Sequence, residues 1–264
     1  MSGFKDLLAA KTNLPKEILP SSYQVLGNIL LLKLSNPEAL RQKKKIGFAI
    51  LKLFPYIKTI CLQHGVKGEF RKPKIEIIAG LKQTETVHKE LDCVFKLDAA
   101  KIMWSKGNHF ERQRLLKLVK PNEIVVDMFA GIGYWSIILA KHTKAKRIIA
   151  IEKNPESFNF LIENICLNKL LNVMAIENDC RNFSYDKKPN RIIMGYFPDT
   201  IKFLPAALKL SKKGTKIHFH ELTNDLEKLK TALEGFKKFR VENIREVKEY
   251  SPSKRHYVFD LKVL

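Results

Sequence analysis

The run Ile124-Val125-Val126-Asp127, continuing into Met128-Phe129-Ala130-Gly131-Ile132-Gly133, constrains this chain more than any other stretch. An apolar run that ends in an acid and breaks into Asp-x-Phe-x-Gly-x-Gly reads as a buried strand entering a glycine turn, with a helix opening near Tyr134. Gly131 and Gly133 let the backbone bend sharply and leave room for a ligand, and the helix start offers unpaired N–H groups. A dinucleotide fingerprint needs a third glycine at the sixth position from Gly131, and that position is Ser136. A pyrophosphate ligand is therefore disfavoured.

A second apolar run, Ile148-Ile149-Ala150-Ile151, delivers Glu152 about twenty residues further on, where an acid in such folds binds ribose hydroxyls. A third, Val173 to Ile176, runs into the polar tip Asn178-Asp179-Cys180, placed to hydrogen-bond an adenine edge. Three strand ends converging on one adenosine-like ligand without a pyrophosphate fingerprint point to an adenosine carrying a small tail. S-adenosylmethionine is the common candidate. The competing account is a doubly wound fold whose strand-end acids only cap helices.

The 264 residues, 45% apolar, suffice for one large domain with a smaller companion. Lys and Arg number 48 against 27 Asp and Glu, a net charge of +21 that points to a polyanion, nucleic acid first. Residues 1–100 hold 17 basic and 9 acidic groups, so the excess is shared by both parts of the chain. A Lys-rich, heat-adapted surface would give the same balance. Cys61, Cys93, Cys166 and Cys180 lack C-x-x-C spacing, so no zinc or redox site is indicated and the thiols read as reduced, in a cytoplasmic protein. No apolar stretch is long enough to span a bilayer, the N-terminus lacks a signal-like core, and no obligate protein partner is evident.

Along the chain, Leu26 to Leu34 reads as a strand, and Asn36 with Pro37 opens a helix that runs to Pro55. Ile57 to Leu62, Lys74 to Ala79 and Val94 to Leu97 read as further strands, giving a small α/β domain over residues 1–100. Its polar face carries Arg41, Lys43, Lys44, Lys45, Arg71, Lys72 and Lys74, which suit either an RNA contact or an ordinary solvated helix face. The larger domain occupies residues 101–264. It opens on Trp104-Ser105-Lys106-Gly107-Asn108-His109-Phe110-Glu111-Arg112, where Asn108 and Glu111 have capping-box spacing. In the functional reading Ser105 and Arg112 face the nucleotide cleft, and Arg112 meets a carboxylate tail through two charge-assisted bonds. After a helix from Pro155 to Asn168, a fourth strand, Arg191 to Met194, ends in Gly195-Tyr196-Phe197-Pro198. Enzymes that act on amino groups of bases often carry Asn-Pro-Pro-Tyr at this strand end. The Asn is absent here, so Tyr196 and Pro198 read as substrate-facing in a loop that does not grip an exocyclic nitrogen. Lys216 to His220 is a fifth strand, with His218 and His220 suited to packing or hydrogen bonds rather than metal. A helix is expected from Glu221 to Phe236, and strands Val241–Lys248 and Arg255–Leu261 close the sheet as a hairpin.

Taken jointly, Trp104-Ser105-x-Gly107-Asn108-x-x-Glu111-Arg112, Asp127 to Gly133, Ile151-Glu152-Lys153-Asn154-Pro155 and Met194-Gly195-Tyr196 resemble the archaeal tRNA wybutosine-synthesising aminocarboxypropyltransferases. The related tRNA guanine methyltransferases usually carry Asn-Leu-Pro or Asn-Pro-Pro where this chain has Met194-Gly195-Tyr196. The resemblance implies a Rossmann-type, class I S-adenosylmethionine-dependent methyltransferase-like fold behind a small RNA-facing domain. It implies transfer of the 3-amino-3-carboxypropyl group to carbon-7 of 4-demethylwyosine, next to the tRNA(Phe) anticodon, with methylthioadenosine released. Methyl transfer to a guanine at the same position is the alternative. By family position Ser105, Arg112, Asp127, Glu152, Asn178, Asp179 and Cys180 bind the donor, Gly131 and Gly133 shape its pocket, and Glu111 is the candidate base for the displaced proton. No metal is implied.

Overall fold

The structure, a computed structural model, describes residues 3–104 and 108–264. The chain forms two compact units that divide between Lys106 and Gly107. The first holds α1 (Phe4–Thr12), β1 (Tyr23–Leu26), β2 (Ile29–Leu32), α2 (Pro37–Arg41), α3 (Lys43–Leu53), β3 (Thr59–Lys67), β4 (Lys72–Gly80), β5 (Glu85–Glu90) and β6 (Cys93–Asp98). Its sheet runs β1-β2-β3-β4, with β2 and β3 parallel across the α2–α3 crossover, and β5 pairs with β6 as a separate hairpin. Leu8, Leu30, Ile46, Ile50, Ile60 and Leu62 form its core.

Two expectations for this unit change. The strand read from Leu26 to Leu34 is the second half of a hairpin, because Gly27 and Asn28 turn the chain between β1 and β2. The helix opened by Asn36, whose Oδ1 accepts the N–H groups of Glu38 at 2.8 Å and Ala39 at 3.3 Å, bends at Gln42 into α2 and α3.

The second unit contains α4 (His109–Leu118), β7 (Ile124–Asp127), α5 (Ser136–His142), β8 (Arg147–Glu152), α6 (Pro155–Leu167), β9 (Val173–Glu177), β10 (Arg191–Met194), α7 (Leu204–Leu210), β11 (Lys216–Thr223), α8 (Leu226–Glu234), β12 (Phe239–Ser251) and β13 (Lys254–Val263). The seven-stranded sheet has the order β12-β13-β11-β10-β7-β8-β9, parallel from β11 to β9, with the β12–β13 hairpin antiparallel at one edge. This is a Rossmann-type doubly wound sheet: short β-branched runs such as Ile148 to Ile151 are buried on both faces, as strands covered by helices on each side must be. The helix expected to begin at Glu221 begins at Leu226. Glu221 stays in β11, where its carboxylate accepts the N–H groups of Asp199 at 3.0 Å, Leu222 at 3.0 Å and Ile201 at 3.3 Å, an arrangement that requires an extended backbone there.

Candidate active site

The sheet order reverses between β7 and β10, and ligands of open α/β sheets bind beyond the carboxyl ends of the strands flanking such a point. The chain leaving β7 turns at once: Ala130 N–H donates to Ile151 O at 2.9 Å and Gly133 N–H to Ala130 O at 2.8 Å. Gly131 and Gly133 stand at φ +57° and +99°, where a side chain is strained. A Cβ at Gly131 would strike the Tyr134 ring, and one at Gly133 would strike Ile137 and Leu161. The glycines thus serve the turn and its packing against Tyr134, Ile137 and Leu161. Helix α5 follows from Ser136, close to the expected opening near Tyr134, with Ile137 N–H already donating to Gly133 O at 3.0 Å.

Asp127 is fully buried beneath this turn; its Oδ2 accepts the Ser136 hydroxyl at 2.7 Å and its Oδ1 accepts Phe129 N–H at 3.3 Å. Burial, reinforced by the Glu152 charge and opposed by these hydrogen bonds, pushes its pKa up to about 7. Glu152, at the end of β8, reaches across to it. Oε2 accepts Gly131 N–H at 2.7 Å and Oε1 accepts Asn154 N–H at 2.7 Å, so the carboxylate ties the β7 turn to the start of α6. Each oxygen keeps a lone pair for a further donor, which suits two ribose hydroxyls. Burial raises the Glu152 pKa against these backbone bonds. Asn178 comes directly after β9, its N–H donating to Glu152 O at 3.0 Å.

Asp179 is more fully engaged. Its Oδ1 accepts Arg181 N–H at 3.0 Å and Nε at 2.9 Å, its Oδ2 accepts Arg181 Nη2 at 2.6 Å, and Lys153 lies 3.5 Å away. The Arg181 guanidinium holds its carboxyl well below the usual carboxylate range. An adenine amino group can join Asp179 by displacing Lys153, the loosest partner. Cys180 is buried in the core with its thiol pushed up to about 12, chiefly by burial, so its backbone is what it offers a ligand.

The far wall of the crevice is aromatic. The Tyr196 ring, just past β10, stacks on Phe129, just past β7, with centroids 5.0 Å apart, and Phe203 meets both rings edge-on at 5.0 and 5.7 Å. Arg181 lies 5.1 Å over Phe203 while holding Asp179, which joins the wall to the β9 tip. Phe203 and Arg181 escaped the sequence reading, since neither sits in a motif and only the fold brings them together. Pro198 is exposed on the same loop, beyond the buried Phe197.

Helix α4 supplies Arg112, buried with its guanidinium 5.8 Å from the Tyr134 ring and 6.0 Å from the Trp135 ring. The capping box read from Asn108 and Glu111 does not form: Asn108 makes no side-chain cap bond, and Glu111 turns inward. Both Glu111 oxygens accept from Arg114, with contacts of 2.6 to 2.9 Å, and Arg114 also binds Asp260 at 2.7 and 3.0 Å. Burial raises the Glu111 pKa while Arg114 lowers it, and the geometry favours a clamp over a free base. The cluster continues through His218, whose Nδ1 lies 2.6 Å from Asp260 and whose Nε2 lies 2.6 Å from Arg191. Arg191 in turn binds Glu123 at 2.8 Å. His218 thus makes hydrogen bonds, and His220 packs near Trp135 with its Nδ1 3.0 Å from His256 Nε2. Among the described residues no group of three or more His, Cys, Asp or Glu could hold a metal ion. Ser105 lies outside the described residues.

Residues 86–248 match the model of the TRM5/TYW2 methyltransferase domain, and residues 4–84 match that of the TYW2 N-terminal domain. The tRNA(Phe) (4-demethylwyosine(37)-C(7)) aminocarboxypropyltransferase of Methanocaldococcus jannaschii is 42% identical over 91% of this chain and 97% of its own. The solved structure of Pyrococcus horikoshii TYW2 in complex with MeSAdo superposes with a TM-score of 0.84 at 36% identity, covering 99% of each chain. The complex of aTrm5 and tRNALeu gives a TM-score of 0.89 at 35% identity, covering all of this chain and 78% of that one. With its class I methyltransferase-like sheet and a matching N-terminal region, the chain belongs to the TRM5/TYW2 family.

Proposed function

We infer that this protein transfers the 3-amino-3-carboxypropyl group of S-adenosylmethionine to carbon-7 of 4-demethylwyosine beside the anticodon of tRNA(Phe), releasing methylthioadenosine. The observation that carries this reading is the crevice at the β7/β10 reversal, walled by the Glu152 carboxylate on one side and by stacked Phe129 and Tyr196 on the other. Its strand end at Met194-Gly195-Tyr196 offers no Asn side chain to grip a base nitrogen. Glu152 takes the ribose, Asn178, Asp179 and the Cys180 backbone take the adenine, and Asp127 with Gly131 and Gly133 holds the turn that shapes the pocket. Arg112, with Ser105 nearby in sequence, takes the donor's carboxylate. Tyr196 and Pro198 face the base. Glu111 acts by fixing α4 through Arg114. The sulfonium is already a good leaving group, so the protein's main work is to aim the correct carbon at the base.

The small N-terminal domain, with exposed Lys44, Lys45, Lys72 and Lys74, is the RNA-facing part in this reading, and the working compartment is the cytoplasm. No helix among the described residues is long and apolar enough to cross a membrane. Methyl transfer to guanine from the same crevice is the second reading, favoured by the close superposition on aTrm5. Mass spectrometry of the small product, after incubation with S-adenosylmethionine and tRNA carrying the tricyclic precursor, separates the two. Methylthioadenosine with the matching mass gain on tRNA is expected; S-adenosylhomocysteine would overturn the reading in favour of methyl transfer.

A further inference from the structure

The small domain has a groove of its own. Its volume is about 520 Å³, within the usual range for a bound small group, and its wall, which includes Asn28, Tyr56, Gln83, Glu85 and Lys96, comes from the first unit alone. It forms where the turn between β1 and β2 docks on strand β5. Gly27 permits that approach: it stands at φ +53°, and a Cβ there would strike the Thr86 hydroxyl and the Val87 carbonyl. Thr86 then bonds the turn directly. Its Oγ1 accepts Asn28 N–H at 3.2 Å and donates to Asn28 Oδ1 at 2.8 Å, while Gly27 N–H donates to His88 Nδ1 at 3.3 Å. The Asn28 carboxamide is thereby held by its oxygen, and its Nδ2 amino group has no partner among the described residues.

Two more groups in the wall are open to a ligand. The Gln83 side chain is exposed and makes no hydrogen bond among the described residues. Tyr56 is 58% exposed, and Phe54 meets its ring edge-on, with centroids 6.1 Å apart and planes at 68°. Phe54 is itself packed on Tyr23 at 5.4 Å, so the Tyr56 ring has a fixed support. An open ring together with two available carboxamides is the set that takes up an unpaired base: the ring stacks on its face and the amides bond its edge. Phosphate is a poor fit, because Lys96, the cation in the wall, is held by Glu85 at 3.1 Å. Charge for a backbone lies instead on α3, whose Lys44, Phe48 and Lys52 are exposed and, four residues apart, share one helix face. The chain reaches Tyr56 three residues past the end of α3, so the segment that carries this stripe ends on the groove. Cations and rings alternating along one segment fit a strand of RNA better than a free nucleotide.

We propose that this groove holds a second unpaired base of the tRNA, distinct from the base modified in the crevice, and so helps to set the register of the RNA on the enzyme. This rests on the reading of tRNA as the substrate and of the small domain as its RNA-facing part. The modified base must meet the donor in the crevice of the second unit, and no residue of that unit lines the groove. Tyr56 stacks on the second base, Asn28 Nδ2 donates to a carbonyl or ring nitrogen of it, and Gln83 supplies a donor or an acceptor. Phosphates of neighbouring nucleotides lie along the stripe of Lys44 and Lys52. The groove contributes to binding and takes no part in bond making or breaking.

Tyr56→Ala, Tyr56→Phe and Gln83→Ala in the full chain test the groove, with thermal unfolding as the check on folding. Affinity for a tRNA(Phe) transcript is measured by filter binding over a range of salt. Tyr56→Ala is expected to weaken binding by about tenfold or more, the loss of one base stacked on an aromatic ring. Gln83→Ala should weaken it by about threefold, the loss of one hydrogen bond, and Tyr56→Phe should bind as wild type does, since stacking needs only the ring. The slope of log affinity against log salt should stay at the wild-type value in all three, because no phosphate contact is lost. Wild-type affinity in either alanine variant overturns the groove, and so does a loss that Tyr56→Phe shares or a reduced slope. Gln83 bonds to nothing in the fold, so its variant decides the matter if Tyr56→Ala unfolds. The four nucleoside 5′-monophosphates, titrated by calorimetry, separate the two sources of a base: no binding at the groove tighter than about 1 mM is expected of them. Tighter binding that Tyr56→Ala abolishes would make the groove a free-nucleotide site and overturn the RNA assignment. If wild type fails to bind tRNA at any salt, the RNA reading itself falls and takes the groove with it; tRNA binding that the alanine variants leave intact defeats the groove alone.

Discussion

At the scale of single residues, the crevice is held together by carboxylates used as acceptors for backbone N–H groups. Glu152 does this for Gly131 and Asn154, and Glu221 does it for Asp199, Ile201 and Leu222. Asp127 differs, because its depth costs more than its two hydrogen bonds return, and its pKa rises to about 7. The folded protein then keeps a proton that an unfolded chain releases near the ordinary Asp value of about 3.9. A group of this kind favours the folded state fully below about pH 4 and loses that contribution as the pH climbs to about 7. Asp127→Asn removes the titration while retaining an acceptor for the Ser136 hydroxyl. The variant's stability, measured by urea unfolding from pH 4 to 8, should fall less with rising pH than that of wild type, by on the order of a few kcal/mol across the window. Parallel curves for the two proteins would show that Asp127 is charged throughout. Glu152, Glu221 and Glu111 shift in the same direction and Asp179 and Asp260 in the other, so the difference between curves is the informative quantity.

At the scale of elements, helix α4 carries Arg112, the residue assigned to the donor's tail in the proposed function, and one side chain fastens the helix. Arg114 joins Glu111 on its own helix to Asp260 on β13, with all three side chains largely buried. Arg114→Ala leaves two buried carboxylates facing each other, and removing one partner of a buried pair costs about 3 kcal/mol or more. Weakened donor binding should accompany the loss of stability, because Arg112 shares the helix; calorimetry that finds wild-type affinity in a destabilised Arg114→Ala protein would detach α4 from the donor site. This clamp was invisible in the sequence, since 146 residues separate Arg114 from Asp260 and no local pattern pairs them. What could be read were the elements that carry their own signal. The strands β7, β8, β9 and β10 are short apolar runs that stop at an acid, a glycine or a polar tip, and their ends follow from chain chemistry. Strand β5, Glu-Thr-Val-His-Lys-Glu, has no apolar run and forms through its hairpin with β6, so nothing announced it. Glu221 looked like the acidic first turn of a helix because its actual partners, backbone N–H groups of a loop twenty residues earlier, exist only after folding.

At the scale of the whole molecule, the question is whether the net charge of +21 serves an RNA or only keeps a Lys-rich surface soluble. A surface built for heat resistance ties its lysines into ion pairs, and some here are tied: Lys43 binds Glu76 at 2.6 Å, and Lys96 binds Glu85 at 3.1 Å. The next two residues of α3, Lys44 and Lys45, are exposed and enter no ion pair among the described residues, while Phe48 on the same helix is 57% exposed. Unpaired cations beside an open aromatic ring suit a phosphate backbone with an unstacked base nearby better than they suit thermal stability. If this face binds tRNA, affinity should fall steeply with salt, by about 100-fold or more between 50 and 200 mM, because several phosphate counterions are released together. The double variant Lys44→Glu, Lys45→Glu should bind tRNA more weakly and reduce the slope of log affinity against log salt by about 1 to 2, with S-adenosylmethionine affinity unchanged. A steep slope that the double variant leaves intact would move the RNA contact to the basic groups elsewhere on the chain. A flat slope in wild type would mean that the charge excess has no part in recognition, and that the base is held by stacking and shape within the crevice alone.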